Sequence, residues 1–163
     1  MKPYRLVLSF FLLSLSTSLF AASDAQTAFE KLKSLEGAWA GKADDGRSVQ
    51  VSNRVISGGS VVMSEILNEN MISMFHLDGD RMLMTHYCSA GNQPRMLATI
   101  SPDGKTITFN FLDATNLLST QPGHMQRLVV TILDGNHHTE EWDFLDKAGA
   151  VHHHELFDLQ RTK

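Results

Sequence analysis

The hydrophobic and polar positions of the chain follow two periods, one after the other. Residues 24–35 place Phe29, Leu32 and Leu35 on one face at helical spacing, with charged residues elsewhere, which predicts a single amphipathic helix. Gly37 follows and ends the helical pattern. Beyond it, runs of six to eleven residues rich in Val, Ile, Thr, Phe and Met alternate with short polar segments, a pattern typical of antiparallel strands.

The polar segments carry the residues of tight hairpin turns. Gly, Asp and Asn, which adopt positive φ most readily, recur at residues 44–47, 57–60, 77–80, 101–105, 133–136 and 146–149. The runs between the turns predict ten strands, at about residues 37–43, 47–57, 60–68, 71–77, 81–88, 94–100, 105–112, 124–134, 137–145 and 150–161.

This order of elements predicts an all-β fold, a ten-stranded antiparallel up-and-down β-barrel preceded by a short N-terminal helix. A meander of this length exposes two edges unless it closes, and closure removes both. A β-sandwich is the structural alternative, because it also buries alternate residues. The segment 113–124 is longer than a hairpin needs and is expected to form a turn or a lid.

The first residues have the pattern of a secretory signal peptide. Lys2 and Arg5 precede an uncharged apolar run at residues 6–20, and small residues follow. The run is shorter than the ~20 residues that span a bilayer, which favours a cleaved signal over a membrane anchor. We therefore expect residues 1–22 to be removed, residues 23–163 to form one domain, and the protein to be periplasmic or secreted.

Charge and cysteine content narrow the range of partners. Without Lys2 and Arg5, 12 basic residues face 18 acidic ones, a net charge of −6. No cluster of Lys or Arg is present, which argues against nucleic acid or an anionic membrane surface as partner. The single cysteine, Cys88, cannot form an internal disulfide, so in an oxidising compartment it is expected to be buried, bound to something or paired between chains.

The segment LEGAWAG at residues 35–41 resembles the opening of calycin barrels, which include lipocalins, fatty-acid-binding proteins and nitrobindin-like proteins. A short helix precedes Gly37-x-Trp39, and the second glycine, Gly41, makes the segment most similar to the nitrobindin-like group. Arg161 at the end of the last strand matches the Arg that covers the first-strand Trp in such barrels, where a guanidinium plane packs on an indole.

The segments THYCSAGNQPRM at residues 85–96 and HHTEEWDF at residues 137–144 are similar to a large group of exported bacterial barrel proteins of unknown function. The resemblance spans essentially the whole chain after the signal-like segment. It implies a small apolar ligand in the barrel cavity, and nitrobindin-like members resemble haem binders with an axial His. No motif assigns that His to a position here, so haem stays an open option.

The strand at residues 81–88 sets four notable side chains on one face. At a period of two, Met82, Met84, His86 and Cys88 point the same way. Three interpretations stay open: the inner wall of the barrel, a cavity lining that contacts a ligand, or a site for a soft metal such as copper.

Other residues support alternatives to simple binding. A haem or copper site would combine His86 with His76, His124 or Cys88, while the histidines near turns, at positions 137, 138 and 152–154, are expected at the surface. A hydrolase or isomerase would use His86 with Glu140, although carboxylates on strands face outward by default. No nucleophile elbow, phosphate-binding loop or dinucleotide fingerprint is present.

We expect an exported barrel that binds a small, largely apolar or amphipathic molecule in its cavity without catalysis. The expected ligand-binding residues are Phe75, Met84, His86, Cys88, Arg95, Phe109, His124 and Trp142. Arg95 or His124 would orient a polar group at the mouth, Arg95 through bidentate bonds. Gly37, Trp39 and Arg161 are expected to be structural. The cofactor is left open: haem or a transition metal is an option that the sequence does not predict.

Overall fold

The chain folds into one helix and ten strands. The computed structural model describes residues 23–146 and 151–162, so the expected signal peptide and most of the turn at 146–149 lie outside the described residues. Helix α1, Asp24–Ser34, begins where Ser23 Oγ accepts the backbone N–H of Gln26 at 3.1 Å, an N-cap. Among the described residues, no helix is long and apolar enough to cross a bilayer.

The strands follow the predicted ranges closely. They are β1 Gly37–Ala43, β2 Ser48–Ile56, β3 Val61–Ile66, β4 Met71–Asp78, β5 Arg81–Tyr87, β6 Gln93–Ile100, β7 Thr106–Thr115, β8 His124–Asp134, β9 His137–Leu145 and β10 Val151–Arg161. The largest difference is at β7, which continues to Thr115, so part of the expected loop at 113–124 is strand.

The ten strands form one closed antiparallel barrel. Each strand pairs with its neighbours in sequence, and β1 also pairs with β10. In that closing pair, Trp39 lies opposite Arg161 and Ala43 lies opposite Phe157. The predicted barrel is therefore confirmed, and the sandwich alternative is wrong.

Cross-strand pairing determines which side chains face inward. Phe75 lies opposite Met84, which lies opposite Met96, and all three are buried. The predicted row on β5 faces the interior through Met84 and His86, whereas Tyr87 is 49% exposed on the outside. Since side chains alternate along a strand, this register places every second residue of β5 inside.

One end of the barrel is closed by α1 and by the end of β10. Trp39 Nε1 donates to the Leu35 carbonyl at 2.8 Å, and the Arg161 guanidinium lies 4.3 Å from the centre of the Trp39 ring, the contact that the resemblance implied. Arg161 also donates to the carbonyl oxygens of Ser34 at 2.8 Å and Glu36 at 2.6 Å. A cation at the helix C-terminus is favourable because unpaired carbonyls point there.

Gly41 allows the closing strands to approach each other. A Cβ at this position would overlap the carbonyl oxygen of Asp158 on β10. The second glycine of the G-x-W-x-G segment is therefore required by close backbone contact.

The closing contact can be tested by Arg161→Lys. The ammonium keeps the charge but loses the planar stacking on Trp39 and most of the carbonyl bonds, so the free energy of unfolding should fall by about 2 kcal/mol. Urea denaturation followed by tryptophan fluorescence measures this change. In the matched control Arg81→Lys, where Arg81 forms a surface ion pair with Asp78, the loss should stay below about 0.5 kcal/mol. Equal losses in the two variants would contradict the role given to Arg161.

Candidate ligand-binding site

The interior of the barrel is filled with side chains, which corrects the expectation of a hollow cavity. Trp39, Phe109, Phe157, Met82, Met84 and Met96 are among the largest fully buried residues. An internal cavity near α1 has a volume of about 10 Å³, whereas small-molecule pockets typically have about 300–1,000 Å³. Large side chains from opposite walls meet at the centre, and the helix closes one end.

Three of the predicted ligand-binding residues belong to this filled interior. The rings of Phe75 and Phe109 lie 5.1 Å apart, and Met84 is fully buried between neighbouring strands. These side chains contact other core residues. Their role as ligand contacts stays a prediction.

His86 is fully buried in the interior. Its Nδ1 lies 2.9 Å from Ser73 Oγ, and its ring lies 5.1 Å from the Trp142 ring. Burial lowers the pKa of His86 from 6.5 to about 4, because desolvation disfavours the charged imidazole. His86 is therefore neutral at physiological pH, and its Nε2 has no hydrogen-bond partner among the described residues.

A second polar group lies in the interior on β9. Trp142 Nε1 donates to one Glu140 carboxylate oxygen at 3.0 Å, and His138 Nε2 lies 3.3 Å from the other. His138 also packs edge-on against Trp39, with ring centres 4.2 Å apart. The expectations of a surface His138 and an outward Glu140 are wrong, since pairing of β9 with β8 and β10 turns this face inward.

This arrangement bears on the hydrolase or isomerase hypothesis. His86 and Glu140 contact Trp142 from different positions, at the ring and at Nε1. Neither borders a space large enough for a substrate, because the internal cavity is only about 10 Å³. The described structure therefore offers no observation that favours catalysis at these residues.

The larger pocket lies at the open end of the barrel, opposite α1. It has a volume of about 500 Å³. Met71 at the start of β4, Met125 on β8 and Phe144 on β9 form its apolar floor, and Cys88 lies beside them just after β5. We call this space the mouth pocket. Burial raises the pKa of the Cys88 thiol, so Cys88 is a neutral, weakly reactive side chain at neutral pH.

Charged side chains form the rim of the mouth pocket. Arg47, Glu69 and Glu155 line it together with His153. Arg47 forms ion pairs with Glu155, with Glu69 at 3.1 Å and with Asp45 at 2.6 Å, and its hydrogen bonds hold the pKa of the Asp45 carboxyl below its usual range. One guanidinium thus links the β1–β2 turn, the β3–β4 turn and β10 across the opening.

Neither of the two residues expected to orient a ligand at the mouth lines the mouth pocket, and their role as ligand contacts stays a prediction. Arg95 lies on the outer face with its side chain 49% exposed, and it forms a two-pronged ion pair with Asp113 on β7. Side chains alternate along β6, and the pairing with β7 shifts its register between Arg95 and Met96. As a result, Met96 points inward and Arg95 points outward. His124 is buried. Its ring is tilted against the Phe111 ring, with ring centres 4.2 Å apart, and its Nδ1 lies 2.9 Å from the Pro122 carbonyl oxygen.

Within the described ranges, the structure does not bring three of the residues named for a haem or copper site around one point. His76 lies opposite Leu83, on the outer face, while His86 is inside, and Cys88 is in the mouth pocket. Among residues 23–146 and 151–162, no group of three or more His, Cys, Asp or Glu side chains is placed to hold a metal ion. The filled interior also has no room for a macrocycle, so these residues do not fit the group there.

Several mouth-pocket residues were missed by sequence reasoning. Met71 and Phe144 belong to the same strand faces as Phe75 and Trp142, at even spacing, and the period of two signals them. Arg47 and Glu69 lie in turns, where no periodicity applies. Only the closed topology brings these turns to one end.

The protein is thus an antiparallel barrel whose ten strands pair all the way round, with the mouth pocket at the end opposite α1. No family model matches the chain, and no curated protein matches it. Among solved structures, the chain is similar to Rv2717c from M. tuberculosis, with a TM-score of 0.54 and 16% identity, covering 83% of this chain and 98% of that one. At this identity the likeness shows a shared fold.

Buried His86 predicts a pH-dependent stability. Its folded-state pKa of about 4 lies below the ordinary 6.5, so the unfolded chain binds the proton more tightly. Its stabilising contribution is therefore present above pH 6.5 and is lost as the pH falls toward 4. Between pH 7 and pH 4.5 this loss should be about 2 kcal/mol.

His86→Gln, which cannot titrate, should lose correspondingly less stability over this interval than the natural chain. Urea denaturation at both pH values measures the difference, with His76→Gln on the outer face as the matched control. The same pH dependence in His86→Gln and in the natural chain would refute the buried neutral histidine.

Proposed function

We propose that this protein binds a small, largely apolar or amphipathic molecule in the mouth pocket, without catalysis. The observation that carries the proposal is the pocket itself, about 500 Å³ with an apolar floor and a charged rim. This volume and this division of polarity are typical of small-molecule sites. The site therefore lies at the open end of the barrel instead of in its filled centre.

The side chains of the floor suit an apolar ligand surface. Met71 and Met125 have flexible, polarisable thioethers that adapt to different shapes, and Phe144 adds a flat aromatic face. Removing apolar ligand surface from water stabilises the complex by about 25 cal/mol per Å². Arg47, Glu69 and Glu155 at the rim are positioned to contact a polar end of the ligand.

Export and the calycin relationship are part of the same proposal. The signal-like segment 1–22 supports release from the cytoplasm into the periplasm or medium. The G-x-W-x-G segment, and the stacking of Arg161 on Trp39 at 4.3 Å, support a calycin-type barrel. Both features match what the resemblance implies for exported ligand-binding barrels.

Cys88 provides a direct test, because it is the only thiol in the chain and lines the pocket. The neutral fluorophore N-phenyl-1-naphthylamine should bind with one-to-one stoichiometry and a rise in fluorescence. At saturation it should slow maleimide labelling of Cys88 at pH 8.5 at least about fivefold, since the bound probe covers the thiol. Labelled protein should in turn bind the probe at least about tenfold more weakly.

Two controls complete this test. Cys88→Ser should bind the probe and be unaffected by prior maleimide treatment. Met71→Gln should weaken probe binding, whereas Met74→Gln, on the opposite face of β4, should leave it unchanged. Probe binding that leaves the labelling rate of Cys88 unaltered would place the site elsewhere, and no binding at all would remove the proposal.

A further inference from the structure

Three polar side chains line the small internal cavity near α1. Asn53 of β2, Ser64 of β3 and Glu140 of β9 surround a space of about 10 Å³, which Leu32 and Leu35 close from the helix side. The three polar residues are 5%, 8% and 5% exposed. Since β9 lies across the closed barrel from β2 and β3, polar groups from opposite walls share this cavity.

Two of these side chains lack protein partners. Within residues 23–146 and 151–162, neither the Asn53 amide nor the Ser64 hydroxyl hydrogen-bonds to another residue. Buried polar groups without partners cost free energy and are rare in folded proteins. A ligand that satisfies both side chains would remove this cost.

Glu140 indicates what kind of ligand this is. Its carboxylate receives one contact from Trp142 and one from His138, which leaves acceptor positions free, because a carboxylate has about four. The ligand must therefore donate to Glu140. Asn53 and Ser64 can each donate or accept.

We propose that this cavity is a binding site for one water molecule held by Asn53, Ser64 and Glu140. A cavity of about 10 Å³ has room for about one water molecule, and water both donates twice and accepts twice. The bound water joins the Trp142–Glu140 hydrogen bond to β2 and β3, and so connects opposite walls of the barrel. This site is separate from the mouth pocket, and neither proposal depends on the other.

The variant Asn53→Leu tests the proposal, because the two outcomes change the stability of the fold in opposite directions. Leucine has a similar branched shape, fills the cavity and removes the amide. If the cavity holds water, leucine displaces it, so Glu140 loses a hydrogen-bond donor and the Ser64 hydroxyl is left without a partner. The folding equilibrium constant should then fall at least about tenfold. In a dry cavity the same change removes an unsatisfied group and fills a void, so stability would rise and the proposal would fail.

Water itself is counted by magnetic relaxation dispersion of the solvent ¹⁷O signal. The natural protein should show one more long-lived internal water than Asn53→Leu. Ser73→Ala, whose hydroxyl contacts His86 instead of the cavity, should keep the count of the natural chain.

A third measurement needs no variant. Nuclear Overhauser transfer from water to the Asn53 side-chain amide protons should be observed in the natural protein, with the sign of a long-lived complex. Absence of this transfer, or an unchanged water count in Asn53→Leu, would overturn the proposal.

Discussion

The pairing of β1 with β10 is the constraint on which the rest of this structure depends. Without it the meander would end in two open edges, each with unpaired backbone groups. Gly41 lets the two backbones meet, and Arg161 covers Trp39 while it holds the carbonyls at the end of α1. The same contact closes the wall of the barrel and fixes the helix across one end.

Since α1 closes one end of the barrel and side chains fill its centre, accessible space is found at the opposite end, in the mouth pocket. The helix face carrying Leu32 contacts the interior, and aromatic and thioether side chains occupy the middle. The polar residues inside, among them His86 and Glu140, are held by neighbouring side chains. The mouth pocket keeps apolar surface accessible beside charged groups, and this combination supports a binding function.

The strands could be predicted from the sequence because each turn carries Gly, Asp or Asn where hairpins need them. The inward-facing row of β5 could be predicted because side chains on a strand point alternately to its two faces. His138 was misassigned because proximity to a turn indicated exposure, whereas its pairing partners Leu159 and Ile132 face the interior. The outward position of Arg95 depends on a register shift that no local sequence pattern reveals. The position of Arg47 at the rim depends on which turns the closed barrel brings together.

The hydrogen bond from Arg161 to the Glu36 carbonyl joins residues 125 positions apart in the chain. Contacts of such long range slow folding, because the entropy of closing the loop is lost before the contact is gained. β1 can therefore complete its pairing only after β10 has formed, which makes closure of the barrel a late step of folding.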